Sequence, residues 1–239
     1  MDPETKRFII IIISGFIIIV FGYIAASLFL AACMVNNSPV YQSNISIDTY
    51  GAENNSLRWD YYLQPEKKYI WSKIPENWAF LSVESRSTQN FFDLSDIESI
   101  SFFVKGDIEN YPLEFNIFTR LPVDATGEMI SYQYTSDKPV MSSTNWKKIT
   151  IYLDNMVLTQ WTKTSFPSAS SHSDLSHVYS IGLAIKSNEI FIKNQIWIDE
   201  LIFTKRDGSI EKISSFDTMN VSIKKREGIW HTGSGYLKN

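Results

Sequence analysis

Beyond residue 35 the chain alternates. In Leu113-Glu114-Phe115-Asn116-Ile117-Phe118-Thr119 the apolar residues 113, 115 and 117 share one face of an extended strand. Lys148–Leu153 brings 149, 151 and 153 together, Tyr179–Ile185 repeats the pattern, and Ile196–Leu201 follows. Trp59–Leu63, Trp78–Glu84, Ser99–Val104 and Glu128–Tyr134 are further strands of the same kind. β-branched and aromatic residues crowd these segments. Turn residues divide them, at Lys105-Gly106-Asp107, Pro122, Asp137-Lys138-Pro139 and Arg206-Asp207-Gly208. No stretch after residue 35 has the 3.6-residue period of a long amphipathic helix. Short strands with one apolar and one mixed face predict an all-β fold, an antiparallel β-sandwich.

The first 35 residues obey a different rule. From Phe8 to Ile47 there is no charged residue, and Phe8–Leu30 is nearly all Ile, Phe, Val and Leu. As a helix that run is about 35 Å long, enough to cross a hydrocarbon core. Lys6 and Arg7 precede it and no basic residue follows before Arg58, which holds the N-terminus in the cytoplasm and sends the rest outward. The run ends in Leu30-Ala31-Ala32-Cys33, containing the single cysteine of the chain. The tetrapeptide resembles the lipobox of bacterial lipoproteins, where the cysteine is acylated after cleavage. The length of the run and the acidic Asp2 and Glu4 fit an uncleaved transmembrane helix instead. Both readings stay open, and both tether the remainder to a membrane, facing the extracytoplasmic side.

The expected organisation is therefore an anchor or signal over 1–33, a polar Asn/Ser-rich spacer over 34–46, a sandwich over 47–206, and a C-terminal extension over 207–239. With Cys33 in the anchor, no disulfide staples the domain. A formal charge of −4 supplies no basic footprint for nucleic acid. Lys224-Lys225-Arg226 reads as a solvated turn. Four Asn-x-Ser sequons, beginning at Asn36, Asn44, Asn54 and Asn220, carry little weight in so Asn- and Ser-rich a chain.

Phe92-Asp93-Leu94-Ser95-Asp96 leading into Ile97–Val104 and Lys105-Gly106-Asp107 resembles a segment of galactose-binding-like jelly rolls. The order that follows is similar too: the strand at 113–119, Trp146–Leu153, a second Asp-Leu-Ser at 174–176, and the closing Trp197-Ile198-Asp199-Glu200-Leu201-Ile202-Phe203. Together they resemble family 11 carbohydrate-binding modules and the complex I intermediate-associated domain, over roughly residues 45–205. The resemblance implies a jelly-roll sandwich with a concave face and a structural calcium ion. Asp199 occupies the place of a frequent calcium ligand in such domains, with Asp48 and Glu53 as its partners near the first strand. An outward, solvated Asp199 is the alternative.

Sugar binding needs flat aromatic rings with polar groups around them. Aromatics make up 14% of the chain, and pairs spaced by two residues present one platform on a sheet face. Trp59 with Tyr61 and Tyr132 with Tyr134 are such pairs, and Trp161 and Tyr152 are further sites. Trp78, Trp146 and Trp197 are assigned to structural duty. Catalysis is not expected: the histidines are His172, His177 and His231, no Gly-x-Ser-x-Gly elbow occurs, and no Cys/His zinc set exists. Two functions remain, a tethered module that binds glycan or cell-wall polysaccharide, and a structural subunit of an envelope protein complex. Small residues in the apolar run (Ser14, Gly15, Gly22, Ala25, Ala26, Ser27) would let another helix pack closely, as the second requires.

Overall fold

The computed structural model describes residues 3–37, 40–50, 54–64, 67–69, 76–86, 91–120, 131–187, 192–214, 216 and 218–236. Side chains are described from Phe16 onward, apart from 35–37, 49–50, 54, 67–69 and 236. In chain order the elements begin with α1 (Pro3–Ala32), β1 (Met34–Asn37), β2 (Val40–Tyr50), β3 (Asn54–Gln64), β4 (Lys67–Tyr69), β5 (Asn77–Ser85) and β6 (Ile97–Gly106). There follow β7 (Pro112–Arg120), β8 (Ser131–Ser136), β9 (Val140–Met141), β10 (Lys147–Tyr152), β11 (Met156–Leu158) and α2 (Gln160–Ser165). The last are β12 (Val178–Ser187), β13 (Ile192–Lys205), β14 (Ile210–Ser214), β15 (Asn220–Ile223) and β16 (Arg226–Tyr236).

Two units separate. The smaller holds α1 and the antiparallel pair β1–β4. From Phe16 on, α1 exposes its large apolar side chains, Ile18 and Tyr23 among them. Among the residues whose side chains are described, no helix is long and apolar enough to cross a membrane. Cys33 ends α1, is buried, and donates its N–H to the carbonyls of Phe29 and Leu30.

The larger unit is a sandwich of two antiparallel sheets. One runs β10-β6-β13-β3-β2, with β14 also on β13; the other runs β11-β8-β7-β12-β5-β16-β15, with β9 on β7. Alternation decides which residues fill the space between them. Leu57, Trp59, Tyr61 and Leu63 of β3 are buried, as are Ala79, Leu81 and Val83 of β5 and Ile181, Leu183 and Ile185 of β12. On β13 the inward set changes phase from Ile196 and Ile198 to Leu201 and Phe203. A bulge between Asp199 and Ile202 absorbs the extra residue, and Glu200 there adopts φ 52°.

Two expected boundaries are corrected. Residues 34–37 and 40–46 are strand rather than spacer: β2 pairs with β3 along its whole length, and Tyr41 and Ile45 pack against the core. The stretch 207–239 is no extension either. β14 pairs with β13, β16 pairs with β5, and Phe216, Val221, Ile223 and Trp230 are core residues. Their burial explains the integration, because without them the β5 side of the core would stand open to water.

Candidate functional site

The outer face of the eight-stranded sheet carries a groove of about 370 Å³. Its course follows from side-chain size. The central strand β12 turns Ser180, Gly182 and Ala184 outward, while its neighbours turn out longer groups: Trp78, Phe80 and Glu84 on β5, Asn116 and Phe118 on β7. Small residues on one strand between larger ones on two leave a trough along that strand. Gly182 is needed at its middle, opposite Ser82 on one side and Asn116 on the other. A Cβ there would lie 2.1 Å from the carbonyl oxygen of Leu81.

The aromatic wall is built with the same economy. Trp78 and Phe80, two residues apart on β5, stack with ring centroids 5.7 Å apart and planes 20° apart. Both rings lie over the adjacent β16, whose residues opposite them are Gly235 and Gly233. A Cβ at Gly233 would come within 2.8 Å of the Phe80 ring, and one at Gly235 within 2.9 Å of the Trp78 ring. The glycines thus let the rings recline on the sheet as one shelf. His231, also on β16, has its ring 5.6 Å from that of Phe80.

Polar groups border the shelf. Glu84 accepts from the Tyr179 hydroxyl at 3.0 Å and from Ser82 Oγ at 3.3 Å. The Arg120 guanidinium sits 3.5 Å from the Tyr179 ring centroid. Burial, then the Glu84 carboxylate, push the Tyr179 hydroxyl above its usual range, so it stays a donor at neutral pH. At the other end Lys186 pairs with Glu114 at 3.0 Å, and midway Gln133 Nε2 donates to Asn116 Oδ1 at 3.1 Å. The lining is therefore aromatic, amide and balanced charge, surfaces that can stack on an apolar ring face and hydrogen-bond polar groups.

The sequence-derived platform lies elsewhere. Trp59 and Tyr61 are 0% and 2% exposed, facing the core in phase with Leu57 and Leu63. The Trp59 indole N–H donates to Ser43 Oγ at 2.8 Å, and the Ser43 hydroxyl bonds that of Thr232, which donates to the Phe80 carbonyl at 2.6 Å. Buried tryptophans need such a partner. Tyr134 is 1% exposed, and its hydroxyl donates to the carbonyls of Ser170 and His172. Tyr132 is half-buried against Phe166. Trp161 is 55% exposed on α2, with its edge to Phe166, outside the groove lining. Trp59, Tyr61 and Tyr134 are thus corrected to core. Trp78, assigned to structural duty from sequence, is corrected to the groove lining. The signal was parity: Trp78 and Phe80 share theirs with Ser82 and Glu84, whereas Trp59 and Tyr61 share theirs with leucines.

Of the expected calcium ligands, Glu53 lies outside the described residues. Asp48 Oδ2 accepts from the indole N–H of Trp197 at 3.0 Å. Asp199 Oδ1 accepts from the N–H of Glu200 at 2.8 Å, within the bulge. Burial pushes the Asp199 carboxyl above its usual range, against that hydrogen bond and with the neighbouring Glu200 charge adding to it. Among the described residues no three His, Cys, Asp or Glu side chains group closely enough to hold a metal ion. The Asp48–Trp197 bond explains the structural duty of Trp197, whose ring also has Arg58 and Lys105 within 6 Å of its centroid.

The Asp174–Ser176–His177 cluster does not have relay geometry. Asp174 Oδ2 and Ser176 Oγ both lie 2.8 Å from Nδ1 of His177. A catalytic relay needs the acid and the serine on opposite ring nitrogens. Asp174 instead caps the short turn at 175–177 through the N–H of Ser176.

Among solved structures the chain is similar to the family 11 carbohydrate-binding module of the cellulosomal cellulase Lic26A-Cel5E of Clostridium thermocellum. The identity is 14% and the TM-score 0.47, over 72% of this chain and 88% of that one. The Clostridium thermocellum family 11 module in complex with a β-1,3-1,4-mixed-linked tetrasaccharide gives 14% and 0.46, over 71% and 88%. A family 30 carbohydrate-binding module gives 16% and 0.46, over 74% and 88%. No protein-family model and no curated protein matches the chain.

Proposed function

We propose that this chain is a membrane-tethered, non-catalytic glycan-binding protein that seats a linear stretch of polysaccharide in the groove above β12. The observation that carries the reading is the reclining Trp78–Phe80 shelf beside a floor free of large side chains, with Glu84, Asn116, Gln133 and Lys186 around it. Sugar rings stack their C–H faces on such shelves, and planar amides and charges at the border take up hydroxyls. The charge-free run Phe8–Leu30 and the apolar side chains that α1 exposes support a tether in lipid, with the sandwich on the extracytoplasmic side. The reading does not depend on a calcium ion at Asp48 and Asp199, which lie outside the groove lining.

The test uses the full chain in detergent micelles, passed over immobilised neutral and acidic polysaccharides beside a Trp78→Ala/Phe80→Ala variant. Retention on one polysaccharide class, lost in the variant and unaffected by EDTA, is the expected result. A folded chain that no polysaccharide retains overturns it and moves weight to the envelope-subunit reading, for which co-purification of stoichiometric membrane proteins is the check.

A further inference from the structure

One residue of the groove is unfinished. Asn116 lines the groove and is 2% exposed. Its carboxamide is oriented by Gln133, whose Nε2 donates to Asn116 Oδ1 at 3.1 Å. That bond places the amide nitrogen on the other side, and Asn116 Nδ2 has no hydrogen-bond partner. Buried polar groups are nearly always satisfied, so an orphaned donor in a binding groove calls for an explanation. The neighbouring position supplies one. Asn116 stands opposite Gly182, which carries no side chain that could cover or satisfy the amide from the neighbouring strand.

We propose that Asn116 determines the specificity of the groove, by donating its free N–H to one unsubstituted hydroxyl oxygen of the sugar that lies over Gly182. The inference rests on the glycan reading above and deepens it. The aromatic shelf accepts any pyranose with a flat C–H face, so it confers affinity with little discrimination. A buried donor behaves differently. A ligand with the matching oxygen satisfies a donor that is otherwise orphaned, whereas one lacking that oxygen, or carrying a substituent there, gains nothing from it, so the two are told apart strongly. The ligand class is accordingly a polysaccharide whose backbone hydroxyl at that position is free, and polymers acylated or branched at that oxygen are excluded.

The experiment is a double-mutant cycle between protein and ligand. Wild type, Asn116→Leu and Asn116→Ala, each as the full chain in micelles, are titrated with tetrasaccharides of the retained polysaccharide, intact and with single hydroxyls removed. One deoxygenated position is expected to weaken wild-type binding about tenfold and to leave both variants unaffected, which bind all the ligands about as weakly. Thermal unfolding without ligand separates this from a structural role. Asn116→Leu removes the orphaned donor together with the acceptor of Gln133 Nε2, and the half-buried Gln133 amide can turn to water, so its midpoint should change by little. If every ligand is bound by the variants as by wild type, the inference fails while the glycan reading stands. If the variants lose stability and the deoxygenated ligands still discriminate, Asn116 is merely structural and the inference also fails. Wild type that no polysaccharide retains brings down both.

Discussion

Strands β3 and β5 each carry a tryptophan followed two residues later by another aromatic, and the two pairs do opposite work. Trp59 and Tyr61 lie in the core, centroids 4.7 Å apart and tilted by 46°, sealed between the sheets. Trp78 and Phe80 lie on the outer face, stacked and open to the groove. Neither residue type nor spacing separates the pairs. What separates them is the company each keeps on its own side of the strand, and what the next strand offers. Trp59 meets the Ser43 hydroxyl, which satisfies its N–H inside the core. Trp78 meets a glycine, which gives its ring a place to lie.

The sharpest way to break this comparison is to remove the two tryptophans in turn. Trp59→Ala should destabilise the sandwich by about 3–5 kcal/mol, as for other large core aromatics, seen as a lower denaturant midpoint with or without ligand. Trp78→Ala should leave that midpoint nearly unchanged and cost at least about tenfold in polysaccharide affinity by titration. If instead Trp78→Ala unfolds the protein and Trp59→Ala spares it, the assignment of inside and outside is inverted. Gly233→Ala is a finer probe. The added Cβ meets the Phe80 ring, so the shelf must tilt, and affinity should drop severalfold with a smaller loss of stability; equal losses of both would argue against a shelf. Trp161→Ala should change neither quantity, since that ring stands outside the groove.

The smallest effect concerns the other sheet. The folded chain holds the Asp199 proton more tightly than the unfolded chain does, because burial raises the carboxyl. Stability from protonating Asp199 therefore appears as pH falls through the raised folded value, is complete below the ordinary carboxylate value, and is lost again as pH rises. Asp199→Asn should flatten that arm and raise the neutral-pH stability by under about 1 kcal/mol, the side chain being only partly buried. A calcium ion on Asp199 would reverse both signs, and added calcium would then raise the melting temperature of wild type alone.

Much of this was legible in the sequence, though unevenly. The all-β sandwich followed from the period-two pattern, and the pattern at 113–117 already put Asn116 on the face opposite the core. The aromatic platform was misplaced because spacing within a strand was weighed without the phase of the aliphatic residues around it. The groove floor was harder to see. Gly182 and Ala184 read as unremarkable strand residues until β5 and β7 are known to flank them, and pairing between distant strands leaves no mark on either one alone. The same holds for Gly233 and Gly235, which fall in the expected C-terminal extension and are the seat of two rings.

The Thr232 hydroxyl reaches the Phe80 carbonyl across 152 residues of chain. During synthesis β5 therefore waits for β16, which follows every other described strand. Until it docks, one edge of β5 is unpaired and the two rings have nothing to rest on, so a stalled or clipped chain presents a sticky edge in place of a groove. The groove thus arrives late and all at once, and a protease that removed β16 would collapse its shelf without touching a single lining residue of β5, β7 or β12.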